Sequence, residues 1–144
     1  MSDCCGSNEN VLITSCAGAS DVGFLSDRVA RMLSVAGRGS IYCLAGVGAQ
    51  IPSFVKGAKQ AGKNIVVDGC PVKCGKKILD NLDIPCDSFV ITELGYKKGG
   101  TGMSDETVKD AFNKINGLLD TGSKIEDQKT RDKNGGGCSC GGKC

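Results

Sequence analysis

At 144 residues and 40% apolar content, the chain is sized for one domain with a real core, and 4% aromatics without Trp means a core of Val, Ile, Leu and Ala. The 18 basic and 16 acidic residues leave a net charge of +2, which argues against a nucleic-acid or membrane-surface protein. Ten cysteines stand beside no histidine at all, so Ser-His and Cys-His catalysis are excluded and any metal site must rest on thiolates, with carboxylates as the only other side-chain candidates.

Met1–Asn10 is polar, contains Cys4 and Cys5, and has no apolar signal segment. No apolar run approaches the ~18–20 residues that span a bilayer. A chain that can fold on an ordinary core does not need disulfides, so a reducing, cytoplasmic setting is expected. Cysteine clusters there point to metal or redox chemistry.

Val11–Cys16 reads as a short buried strand. Residues 20–36 carry a helical stripe of Val22, Leu25, Val29, Met32, Leu33 and Ala36, with Gly37 placed as the stop. Ser40–Leu44 is expected as a second strand running into the turn Ala45-Gly-Val-Gly48. Residues 51–60 form a shorter helix with Pro52 in its first turn. Asn64–Asp68 is the clearest strand, and Pro71 is expected to start a third helix bearing Val72, Ile78, Leu79 and Leu82. Ser88–Thr92 is the fourth strand. Ser104 is placed to cap a last helix whose core face is Val108, Ala111, Phe112, Ile115, Leu118 and Leu119.

Four strands alternating with four helices imply a four-stranded parallel sheet in a Rossmann- or flavodoxin-like three-layer α/β/α fold, with strand order 2-1-3-4. The expected division is a flexible cysteine-containing N-terminus (1–10), an α/β metal-binding domain (11–121) and a flexible cysteine-rich tail (122–144).

On this scaffold Cys16 closes strand one, Cys43 lies at the end of strand two, Cys70 follows strand three and Cys74 comes four residues later. All strand C-termini of a parallel sheet share one edge, where such folds bind ligands. Strands stand about 4.8 Å apart, and tetrahedral zinc with bonds of about 2.3 Å needs sulfurs a little under ~4 Å apart. Small adjustments would bring the four thiolates onto one ion. A helix start after Cys70, together with Lys73, Lys76 and Lys77, would favour the thiolate form.

Each cysteine also has a plain reading as a small buried hydrophobe. Cys43 is the weakest member, because it sits inside an apolar run. Cys86 precedes strand four, belongs to the opposite edge and is expected to be structural or incidental. The Gly46-x-Gly48 pair lacks a full phosphate-binding pattern and reads as a strand-to-helix turn. Asp68 has three readings: a hydrogen bond to the site, an oxygen ligand, or an acceptor for backbone N–H groups at the turn.

Three segments, Cys16-Ala-Gly-Ala-Ser-Asp-Val-Gly23, Tyr42-Cys-Leu-Ala-Gly-Val-Gly48 and Asn64-Ile-Val-Val-Asp-Gly-Cys-Pro-Val-Lys-Cys74, resemble the DGC-domain proteins, which are described as zinc-binding. The resemblance covers roughly residues 11–98. It implies metal binding by Cys16, Cys43, Cys70 and Cys74, the four that placement selects.

Zinc is the expected ion, in a storage, sensing or delivery role, and an enzyme is the less expected class. An iron–sulfur cluster on the same thiolates is one alternative. Thiol redox or sulfur and selenium transfer by Cys70, with Cys16 or Cys74 resolving, is another. Cys138, Cys140 and Cys144 could pass metal or chalcogen to a protein partner or fold over the core site, or the tail is inert.

Overall fold

The structure is a computed structural model that describes residues 10–122, so the readings of the first nine residues and of the tail beyond Gly122 lie outside the described residues. Its elements in chain order are β1 (Val11–Ser15), α1 (Asp21–Val35), β2 (Ser40–Ile41), α2 (Leu44–Gly48), α3 (Pro52–Gln60), β3 (Lys63–Asp68), α4 (Cys74–Asn81) and β4 (Asp87–Val90), then a 3-10 turn (Ile91–Leu94) and α5 (Asp105–Thr121). The four strands form one parallel sheet in the expected order, β2-β1-β3-β4.

β3 runs through the middle because five of its six residues are buried, as a strand covered on both faces requires. Alternation then sends its side chains to opposite layers. Ile65 and Val67, with Ile13 and Phe89 beside them in register, join Leu25, Val29 and Leu33 of α1 and Val108, Ala111 and Ile115 of α5. Val66 faces the other way and packs with Leu44 and Val47 of α2, Ala58 of α3, and Leu79 and Ile84. The result is the three-layer α/β/α sandwich expected from the sequence.

α1 begins where Ser20 Oγ accepts the Gly23 N–H at 3.2 Å, the side-chain cap that Ser favours. It ends in a Schellman arrangement: Gly37 takes φ +79°, its N–H reaches Ser34 O, and the Arg38 N–H reaches Leu33 O, each at 3.0 Å. Arg38 then crosses to α5, donating to Asn116 Oδ1 at 2.7 Å and pairing with Asp120. The expected Ser104 cap is present, accepting from the Thr107 N–H at 3.2 Å.

Three elements differ from the sequence reading, the first being the fourth strand, expected over 88–92, which ends at Val90 and passes into the 3-10 turn Ile91–Leu94. β2 stops at Ile41, and residues 44–48 form a helix rather than a turn. The third helix starts at Cys74, not Pro71, because Lys73 adopts a left-handed φ of +52° after a turn closed by its N–H on Cys70 O at 3.0 Å. Among the described residues, no helix is long and apolar enough to cross a membrane.

Candidate functional site

The carboxyl ends of β1 and β3 meet the start of α1 at very short range. A Cβ on Gly23 would lie 2.4 Å from Gly18 O, and one on Gly69 would lie 2.8 Å from Gly23 N. Both positions require a residue without a side chain. This contact brings Cys16 and the Gly69–Cys70 peptide together. The Cys16 N–H extends the ladder to Val67 O at 3.1 Å, and its Sγ accepts the Gly69 N–H at 3.3 Å.

Cys16 Sγ also lies 3.4 Å from Ser26 Oγ. Ser26 is 0% exposed, and its hydroxyl donates to Gly23 O at 2.7 Å. With its single proton committed there, it is left as an acceptor for the Cys16 thiol. Sequence reasoning missed Ser26, although a serine inside the apolar stripe of α1, flanked by Leu25 and Val29, was a signal that a polar partner lay beneath the helix. Cys70 is half-buried against the α1–α5 core.

The other two cysteines lie on the opposite layer and are exposed. Cys43 is not the last residue of a strand. It is the N-cap of α2, and its Sγ accepts the Gly46 N–H at 3.3 Å. Cys74 is the first residue of α4, so the helix-start position expected for Cys70 belongs to Cys74 instead. The two helix starts are neighbours: a Cβ on Gly75 would come within 3.2 Å of the Leu44 side chain.

Asp68 fastens that second pair. It is 1% exposed, and its carboxylate accepts the Gly75 N–H at 2.7 Å and the Lys76 N–H at 3.0 Å. Of its three sequence readings, the backbone acceptor is the one observed. Burial pushes its carboxyl above the usual range, while the Gly75 and Lys76 N–H groups and the charges of Lys73 and Lys76 pull it back.

Gly46 and Gly48 are packing glycines, set against the Phe54 ring and Ile78 respectively, and no phosphate reading is needed for them. Cys86 stands before β4 at the far edge, half-buried against the α2–α4 cluster. Burial and the Asp80 charge push its thiol up to about 11, as befits an inert structural cysteine.

The fold thus carries all four expected cysteines to the carboxyl edge of the sheet, in two pairs on opposite layers. It does not close them on one point: among the described residues, no three Cys, Asp or Glu side chains are grouped as a ready metal site. The donor set still fits a thiophilic ion, since it offers four thiols and no imidazole, and two of its members are exposed.

Fold and edge together define a small doubly wound α/β protein with a thiol-bearing ligand edge. It belongs to the DGC domain family, whose model matches residues 12–115. It is similar to the anaerobic and virulence modulator AnvM of Pseudomonas aeruginosa (strain PAO1), with 30% identity over 115 residues, 78% of this chain and 88% of the relative. No solved structure matches the chain.

Proposed function

We propose that the chain binds one thiophilic metal ion, zinc before iron, through Cys16, Cys43, Cys70 and Cys74, and uses the site for sensing or delivery rather than catalysis. The observation that carries this is the placement of the four thiols on one sheet edge, two of them already accepting backbone N–H groups, at Gly69 and Gly46. Those bonds fix where the two sulfurs sit on the edge. Cys16 and Cys70 supply a fixed half, and Cys43 and Cys74 turn inward to complete a tetrahedral set. The likeness to a protein named as a modulator supports a regulatory use of such an edge.

The test is zinc and iron per chain by elemental mass spectrometry after anaerobic purification without chelator, for the full chain, a chain ending at Gly122 and each Cys→Ser variant. One zinc per chain, kept on truncation and lost with any of the four serines, is the expected result. Unchanged metal content in all four variants would overturn the assignment. Iron with visible absorbance would replace zinc by a cluster. A metal-free chain whose Cys74 or Cys70 alkylates fastest would put thiol redox or chalcogen transfer first.

A further inference from the structure

The face of the molecule that carries α1 and α5 has a cleft of about 400 Å³ between the two helices, lined by Arg28, Arg31, Met32, Val35, Ala36 and Phe112. It is apolar along its floor and cationic along one rim. Val35, a β-branched apolar residue, is 91% exposed there. Arg31 is held by Asp27 at 2.9 Å, whereas Arg28 has no carboxylate partner among the described residues. Exposed apolar surface rimmed by charge marks a docking site, and the chain itself supplies a segment that fits.

α5 ends at Thr121 and the described chain leaves at Gly122, in a left-handed turn. That exit lies beside the C-terminal end of α1, because Arg38 binds both Asn116 and Asp120. The next residues are Ser123-Lys-Ile-Glu-Asp127, one branched apolar side chain followed by two acids. From Val35 back to Arg28 the cleft runs seven helical residues, or about 10 Å. Five extended residues span up to ~17 Å, enough to cover it.

We infer that residues 123–127 seat in the α1–α5 cleft, with Ile125 over Met32, Val35 and Phe112 and with Glu126 and Asp127 facing Arg28 and Arg31. Seated this way, the chain runs from the far end of α1 toward its start, which is the cysteine edge. The eleven residues from Asp127 to Cys138 reach up to ~36 Å, well beyond the further ~10 Å from Arg28 to Asp21. That reach would let Cys138, Cys140 and Cys144 meet the core thiols. That last consequence rests on the metal reading; the seating does not.

The test is NMR on the labelled, metal-free full chain at two protein concentrations. Nuclear Overhauser contacts from the Ile125 methyls to Met32, Val35 or the Phe112 ring, equal in strength at both concentrations, are expected. Arg28→Glu should abolish them, and adding Glu126→Lys with Asp127→Lys should bring them back. If no such contacts appear, and the cleft resonances are the same in a chain ending at Gly122, the inference is wrong. Contacts that grow with concentration would overturn it in favour of a second copy in the cleft.

Discussion

The two faces of the sheet hold their cysteines in different ways. On the α1–α5 face, thirteen buried residues form one cluster, with Cys70 half-buried against it and the half-buried Cys16 beside Ser26 of α1. On the α2–α4 face the buried cluster has six residues, and Cys43 and Cys74 stand exposed at the starts of short helices. The edge thus has one half set beside the larger core cluster and one half exposed on the thinner layer. On the metal reading proposed above, the exposed pair is the mobile half, whose local opening would leave the larger cluster folded.

The largest expected effects come from deleting core volume, and they should separate the faces. Leu25→Ala empties the centre of the α1–α5 cluster, where Leu25 is fully buried, and should cost about 3–4 kcal/mol of global stability. Leu79→Ala, equally buried on the thinner face, should cost about 2–3 kcal/mol, because the smaller cluster can partly collapse around it. Denaturant unfolding measures both. Hydrogen exchange sharpens the contrast: Leu79→Ala should raise exchange in α2 and α4 while leaving α1 protected. Equal acceleration across both faces would show that the sheet unfolds as one unit and that the mobile half is no separate unit.

Asp68 tests how the mobile half is fastened. Asp68→Ala removes the acceptor for two backbone N–H groups and should destabilise by about 2–3 kcal/mol, while Asp68→Asn keeps one of the two bonds and should cost about half as much. The variants also separate a fastening role from a ligand role. If zinc content in Asp68→Asn falls to nothing while the fold persists, Asp68 is a ligand and the backbone bonds are secondary.

The same residue shows what the sequence could and could not tell. The strand order was legible because βα alternation, right-handed crossovers and one fully apolar strand, Ile65–Val67, leave few arrangements. The site was legible as far as strand ends go, since Cys16 and Cys70 directly follow a buried strand or its turn. The start of α4 was not. Its cap comes from Asp68, seven and eight residues upstream of the N–H groups it accepts, so no local capping pattern announces it. Pro71 looked like a first-turn residue, but the left-handed Lys73 separates it from the helix. Cys43 misled for a related reason. Its sulfur does the work of a cap for α2, a role usually taken by Ser, Thr, Asp or Asn, and the apolar run around it reads as strand.

A smaller effect concerns the loop that borders the cysteine edge beside α1. The Asp21 carboxylate accepts the Gly99 N–H at 2.8 Å and the Thr101 N–H at 3.0 Å. Those bonds, Gly99 first, hold its carboxyl below the ordinary 3.8. A depressed acid contributes stability that is present above its unfolded value and lost as pH falls through the folded one. Loop 97–101 should therefore stay pinned at neutral pH and loosen only below about pH 4. Asp21→Asn should flatten that acid dependence while leaving α1 and the sheet intact, as read by amide shifts against pH. An unchanged acid transition in the variant would assign it to other carboxylates.

The smallest effect is one of rate alone, and it separates the edge cysteines from the one at the far end of the sheet. Burial pushes the Cys86 thiol up to about 11, which leaves about one thiol in a thousand ionised at pH 8. The thiolate is the nucleophile, so Cys86 should be the last of the described cysteines to react with iodoacetamide in metal-free protein, well behind the exposed Cys43 and Cys74. Its rate should climb about tenfold per pH unit toward 10, since each unit below the thiol's own value removes nine-tenths of the thiolate. Mass-spectrometric timing of each modified peptide gives the ranking directly. A Cys86 that labels as fast as Cys43 would mean that β4 and the end of α4 open readily, and the far edge would then be no more fixed than the mobile half of the ligand edge.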